Sequence, residues 1–459
     1  MYLMKSIYKY AAAFIIGAVT AHSVSAQNSY SGYFLDNYTY RTQLNPAFAT
    51  DRNYIGFPGL GNINMAMRGN IGLDDVLYNV DGQTVLFTNP NISVDQVMAN
   101  IKDRNDLQNS IKLNILTTGF KAMGGYNTIS ISAATNMSIN IPGTLFSLAK
   151  EGLSNKTYDI SNMGAHADAY AEIALGHSHQ ITKGLRIGVT AKMLLGIGNV
   201  DAYFNEANLT LGRNAWTATT NADVYSSVKG LAYETKTNEK TGHEYVSGVK
   251  LDNFSAPSGY GIAFDLGLEY KYRDFSFSAA VLDLGVISWG NTIHASTNGT
   301  KTFNTNAFVF NIDDNASNSI DDEFEKLTND LSKLYELENN GNIGQRSRML
   351  ATTVNAGIEY KLPVYRKLSF GLLNTTRIDG DYTWTQFRLG ANWAPSRCFS
   401  ASVNGAYGTY GWAFGWVANV KTPGFNLFVG MDSTPFKLAK QGVPINSNVA
   451  LNIGLNIAF

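Results

Sequence analysis

The stretch Asn448-Val449-Ala450-Leu451-Asn452-Ile453-Gly454-Leu455-Asn456-Ile457-Ala458-Phe459 decides the fold. Val449, Leu451, Ile453, Leu455, Ile457 and Phe459 are large and apolar, and Asn, Gly or Ala fills every position between them. Successive side chains of a strand point to opposite faces, so one face here is greasy and the other small and polar. The same phase runs through 129–141, 185–197, 262–272, 354–362, 387–393, 399–407, 412–420 and 425–431. A soluble sandwich also alternates. Its strands, however, usually hold about five or six residues, whereas a membrane-crossing strand needs about nine to eleven. Several of these runs have the longer format. Tyr270, Tyr272, Trp393, Trp412 and Trp416 fall near run ends on the apolar face, as an interfacial girdle requires.

Connection lengths test this reading independently. With the last strand running toward the periplasm, the tight connections near 422–424, 395–396, 363–366, 273–274, 181–183 and 123–124 all fall on one side. The connections 433–447, 378–382, 291–348, 201–258, 142–163 and 73–108 fall on the other; most of these are long, and the one near 410–411 is short. Short turns on the periplasmic side and long loops outside are the asymmetry of outer-membrane barrels. The expected fold is therefore all-β, an antiparallel transmembrane β-barrel of about fourteen strands. Sixteen would follow if 207–219 and 222–233 formed another membrane hairpin, but 222–244 is charged and alternates little. Arg in place of Leu266 or Ile453 should then be costly, and Arg at Asn452 milder.

Composition agrees. Charged residues are only 15% of the chain, against about a quarter in soluble domains. A formal net charge of −1 points to no nucleic-acid partner. No stretch beyond the N-terminus approaches the roughly eighteen apolar residues of a membrane helix. Cys398 is the single cysteine, which excludes an internal disulfide and a Cys-based metal site. Residues 1–26 read as a signal peptide: Lys5 and Lys9, an apolar core over 11–19, and Val24-Ser25-Ala26 before Gln27. The expected location is the cell outer membrane, with its lipids and the barrel assembly machinery as partners. Phe459, in phase with the greasy face, resembles the terminal aromatic assembly signal of bacterial outer-membrane barrels.

Residues 27–60 precede the barrel, which is assigned 61–459. They carry Tyr30, Tyr33, Phe34, Tyr38, Tyr40, Phe48, Tyr54 and Phe57, too many aromatics for a solvated tail. A plug inside the lumen is the expectation, with a periplasmic tail as the alternative. Pro46 and Pro58 would set turns, and Asp36, Arg41 and Asp51 would pair with lumen charges such as Arg186 or Glu269. The inward polar face should present Arg68, Lys112, Glu172, Arg186, Lys192, Asp265, Glu269, Lys271, Glu359, Lys361 and Arg388. Such a mixture suits either a salt-bridged interior or a selectivity lining without strong ion preference. Helical insertions are expected in the outer loops. The clearest is 319–339, whose stripe of Ile320, Phe324, Leu327, Leu331 and Leu334 suits a lid or a docking surface for a protein partner. Shorter helices are expected over 93–107 and 142–151.

No catalytic, cofactor or metal site is legible. His177 and His179 share a face but lack a third ligand. His166 and Asp168 share the inward face with no nucleophile beside them. Lys240-Thr241-Gly242 matches one β-lactamase fragment without its companion motifs.

Asn45-Pro46-Ala47 resembles the Asn-Pro-Ala element in the N-terminal hatch of the long-chain fatty-acid transporter superfamily. Leu35-Asp36-Asn37, Leu44-Asn45-Pro46-Ala47-Phe48 and Leu282-Asp283-Leu284-Gly285-Val286-Ile287-Ser288-Trp289 resemble a Bacteroidota family of outer-membrane barrels of unknown function (DUF5723-like). The resemblance implies location and fold and carries no ligand residues. Two functions stand open. A hatch-containing transporter of small apolar or amphipathic molecules predicts an apolar pocket between plug and wall. A non-transporting barrel that docks secretion or surface-assembly components predicts a sealed lumen.

Overall fold

The structure is a computed structural model that describes residues 30–50, 52–59, 61–151, 156–211, 215–237, 242–304, 337–433 and 448–459. The expected signal peptide and the helix expected at 319–339 lie outside the described residues, as does Asp51.

Fourteen antiparallel strands close into one barrel. The first is broken into Tyr54–Gly56 and Asn62–Gly69. Arg104–Ala122, Gly125–Pro142, Met163–Gln180, Leu185–Leu211, Gly259–Tyr272 and Phe275–Asn304 follow. The next lane holds Glu338–Met349 and Thr352–Lys361 end to end, both against Phe275–Asn304. Leu368–Ile378, Trp384–Trp393, Phe399–Gly408, Gly411–Thr422, Phe425–Ser433 and Val449–Ala458 complete the wall. The last strand pairs with the first, Tyr54 opposite Ala458 and Ile63 opposite Ile453, so the wall has no free edge. The wall thus begins at Tyr54, inside the 27–60 segment rather than after it. Pro58, which has no amide hydrogen, sits in the break, and Phe57 N–H donates to Leu455 O at 3.0 Å beside it.

Alternation sorts the faces as read. Leu266, Leu389 and Ile453 are 49%, 64% and 43% exposed on the outside, whereas Asn452, Asn456 and Asp265 are buried inside. The short connections make tight hairpins. Met123 and Gly124 both have positive φ, 57° and 70°, the pattern of a two-residue turn that matches strand twist.

On the loop side, two wall strands run on past the barrel. Leu185–Leu211 and Phe275–Asn304 leave the lane of Gly259–Tyr272 and take Ala215–Val228 between them instead. The residues that raised the sixteen-strand option are therefore strands, but they stand above an existing lane and add none to the wall. Residues 93–107 are helical only over Val94–Met98, where Ser93 and Gln96 form a reciprocal cap. Asn105 then ties back to Lys102 through both its N–H and its carbonyl, and the chain turns into the strand starting at Arg104. A second helix spans Gly143–Glu151. Both helices pack with Ile71, Phe87, Leu107, Ile139 and Tyr158 in an apolar cluster over this end.

Leu266→Arg and Ile453→Arg should each lower unfolding stability in lipid by about 2–4 kcal/mol if they sit near the midplane. Contrary to the alternation alone, Asn452→Arg should be just as disruptive. Asn452 is 1% exposed and its side chain is bonded to Tyr38 and Asn62. Equilibrium urea titration of the three variants checks this, and a mild Asn452 variant would mean the lumen is looser there.

Candidate functional site in the lumen

Residues 30–50 run inside the barrel. Two single 3-10 turns, Tyr30–Gly32 and Thr39–Gln43, fold the segment compactly. Tyr33, Tyr38, Tyr40, Leu44 and Phe48 are each at most 2% exposed. Tyr38 stands edge-on to the wall residue Phe428 at 4.9 Å, and Tyr33 to Phe48 at 5.1 Å. Phe428 is the one large side chain of its strand that breaks rank and points inward, and this packing is what it does there.

The segment makes no strand pairing with the wall among the described residues. Its backbone is held by wall side chains. Asn355 donates to Leu44 O at 3.0 Å, Ser178 to Ala47 O at 3.0 Å and Asn419 to Asn37 O at 3.3 Å. In return, Asn45 donates to the wall carbonyls of Leu268 and Ala279 at 3.1 and 3.2 Å. The small polar residues that alternation places inside are thus the donors that a buried non-strand backbone needs. Two wall glycines make room for Asn45-Pro46-Ala47. A Cβ on Gly267 would lie 2.1 Å from Asn45 Oδ1, and one on Gly188 2.1 Å from the Pro46 carbonyl.

The expected lumen charges fall into separate groups. Near the turn end Lys361 reaches Asp36 at 2.7 Å, Arg41 pairs with Asp36 and lies 3.9 Å from Glu269, and Lys271 is 3.2 Å from Glu269. Burial works against the Asp36 charge, but Arg41, Lys361 and Lys271 outweigh it and hold the carboxyl below the usual carboxylate range. Glu359 accepts from Ser369 at 2.7 Å. Arg186, expected to pair with the segment's acids, instead donates to Ser178 and Gln180. Arg388 pairs with Asp432 at 2.8 Å, and Ser31 of the segment hydrogen-bonds both. Arg68 stacks 4.5 Å over the Trp384 ring. Deeper in the lumen Lys112 pairs with Glu172 at 2.8 Å, and Lys192 with Asp265 at 2.7 Å.

Sequence reasoning missed Asp283, Arg377, Asp432 and Asp201. Asp283 was hidden by a bulge: Phe264 pairs with Leu284 but Leu266 with Val281, so the strand carries one extra residue there. The bulge turns a carboxylate that plain alternation would aim at lipid into the lumen, 2.6 Å from Lys192. Arg377 and Asp432 lie in phase with inward Thr375 and Gly430, and strict extension of each run would have found them. Toward the loops, Asp201 accepts from His166 and Arg348 at 2.5 Å and also from Arg346. His166 lies 3.0 Å from Asp168, and the structure gives this group ion pairs in place of a nucleophile. His177 and His179 stack at 5.8 Å, and His177 bonds Asn127. Among the described residues no three potential ligands gather around a metal position.

Between the segment and the wall lies a cleft that opens toward solvent. Tyr30, Thr42 and Gln43 form its segment side; Lys112, Glu172, Lys192, Asp265, Asp283 and Arg377 dominate its wall side. The pocket expected to be apolar is therefore mainly polar and charged, with Ala134, Ala174, Leu282 and Leu350 as its apolar part, because the inward face of most contributing strands is the polar one.

Gly267→Val should expel Asn45-Pro46-Ala47 without opening the wall. The expected result is a barrel that keeps its heat-modifiable gel mobility while proteolysis now cuts within 30–50. A segment as protected as in the wild type would show that the close approach at Gly267 is not what seats it.

No curated protein matches the chain. Among solved structures, the toluene transporter TodX of Pseudomonas putida is 9% identical, covers 90% of this chain and 92% of its own, and has a TM-score of 0.40. A FadL homologue of Pseudomonas aeruginosa is 8% identical over 95% of this chain and 98% of its own, with a TM-score of 0.39. The translocator domain of the Neisseria meningitidis autotransporter NalP is 7% identical over 98% and 97%, with a TM-score of 0.30. The model of one protein family, described as a family of unknown function (DUF5723), matches residues 46–432, and this chain belongs to that family.

Proposed function

We propose that this protein is an outer-membrane transporter whose N-terminal segment is a hatch, and that its cargo is small and amphipathic. One observation carries the reading. Residues 30–50 occupy the lumen without strand pairing to the wall, and a charge-lined cleft lies directly against them. A segment held by side-chain hydrogen bonds can leave without breaking the wall ladder, which a paired strand cannot. The charged lining favours amphipathic over wholly apolar cargo, since a hydrocarbon would leave those groups unsolvated. In this reading residues 1–26 direct export, Phe459 serves recognition by the barrel assembly machinery, and lipids surround the wall. The origin in Bacteroidota belongs to the same proposal.

A second reading has its own support. The sheet built by Leu185–Leu211, Ala215–Val228 and Phe275–Asn304 rises past the wall and offers a broad surface on the loop side. That suits a barrel which docks secretion or surface-assembly partners and transports nothing.

Single-channel conductance in planar bilayers separates the two. Deletion of residues 28–50 spares the wall strand at Tyr54 and should convert a nearly silent barrel into an open pore. A wild type that already conducts as an open pore, with no increase on deletion, rejects the hatch. A deletion that assembles but stays silent favours the docking reading.

A further inference from the structure

We propose that the lumen cleft is a binding site for a small zwitterion that carries an amine and a carboxylate on one molecule, as amino acids and short peptides do. This names a cargo class within the transport reading and rests on it for its purpose, but binding can be measured without transport.

The charges of the cleft are unevenly matched. Lys112 is matched to Glu172 at 2.8 Å. Lys192 is shared by two carboxylates, Asp265 at 2.7 Å and Asp283 at 2.6 Å. One carboxylate is thus in surplus on this side. Arg377 lines the same cleft from the other side. It donates to Asn136 Oδ1 at 3.2 Å and has no ion pair among the described residues. Leu282 lies opposite Thr353, which lies opposite Arg377, so the surplus carboxylate and the unmatched guanidinium stand two strands apart. At strand spacing that is about 10 Å between backbones, and both side chains reach inward from there.

Two hydroxyls add to this. Tyr30 and Tyr170 are 3% and 7% exposed and line the cleft. Neither hydroxyl has a hydrogen-bond partner among the described residues. Both lie where a bound polar group would meet them. Tyr30 belongs to the N-terminal segment, so an occupant would touch the segment and the wall at once.

The backbone supports the assignment. Asp283 has φ of 59°, a left-handed conformation that a non-glycine residue rarely holds. Such geometry clusters where a side chain must be aimed. Here the bulge both holds Asp283 in that conformation and turns it inward beside Leu282, within the Leu282–Trp289 stretch that marks the family resemblance. An ordinary ladder would place Asp283 on the lipid side.

Single-charge ligands fit less well. A lone anion gains Arg377 but meets three carboxylates, and a lone cation meets the reverse. A zwitterion satisfies the surplus of each side, with Ala134, Ala174, Leu282 and Leu350 left for an apolar side chain.

The test is isothermal titration calorimetry at low salt on the purified full-length barrel. The probe is tri-alanine, compared with N-acetyl-tri-alanine, tri-alanine amide and the doubly blocked peptide. Tri-alanine should bind saturably and about tenfold or more tighter than either singly blocked form, the effect of one charged hydrogen bond. Arg377→Gln should remove the advantage of the free carboxylate and leave tri-alanine amide unaffected. Asp283→Asn, which tolerates the same φ, should remove the advantage of the free amine and leave N-acetyl-tri-alanine unaffected. Heat-modifiable mobility confirms that each variant is folded, and the blocked peptides test the wild type if one is not. Equal affinity for all four peptides, or no saturable binding of tri-alanine, overturns the assignment. Either result can occur whether or not the segment deletion conducts, so this failure is distinct from failure of the transport reading.

Discussion

In a hydrocarbon layer no water replaces a lost backbone hydrogen bond, so a sheet that crosses it has to close on itself. Everything else here follows from that closure. The seam at Tyr54–Ala458 and Ile63–Ile453 removes both edges at once. Closing also forces each strand to give one face to lipid and the other to a shared interior. With the apolar face spent on lipid, the interior is left with Asn, Ser, Thr and charge. A segment lodged there can satisfy its backbone carbonyls from Asn355, Asn419 and Ser178, which a conventional apolar core would not permit.

The architecture was largely legible because period-two alternation is a direct imprint of the two-solvent problem, and the run 449–459 displays it without interruption. Connection parity was legible because hairpins on one side need only a turn. What escaped reading was whatever breaks the period. Asp283 sits on a bulge, which shifts phase by one residue and has no compositional mark. The strand Ala215–Val228 alternates poorly because both its faces stand outside lipid, so its polar sequence read as loop. Tyr54 was assigned to the segment because the wall is interrupted at Pro58. Asn452 looked replaceable because one strand cannot reveal which residue lies across the lumen, and Tyr38 is about 400 positions away. The charges within the lumen were partly legible by phase, but their grouping was not, since partners such as Lys192 and Asp283 meet only across the closed sheet.

The pairing pattern has its own logic. Burying an isolated charge is expensive, and a buried pair only roughly recovers its desolvation cost. Arg388 and Asp432, both with side chains 5% exposed, are therefore better understood as a specificity device than as a source of stability. Ser31 hydrogen-bonds both partners, so the pair and the N-terminal segment form one hydrogen-bonded group.

The two long strands have a spatial consequence. Leu185–Leu211 holds 27 residues in one uninterrupted element, a length of about 90 Å at strand rise, some three times the hydrocarbon thickness. Even with barrel tilt, its far end stands well clear of the lipid. Lys192 lies on this same element, whose pairing shifts register twice, near Ile197 and near Asn205, on the way to the tip. The strand is one stave of the wall that outgrows its neighbours, so the part that stands at the surface and the part that carries the ammonium shared by Asp265 and Asp283 belong to a single strand.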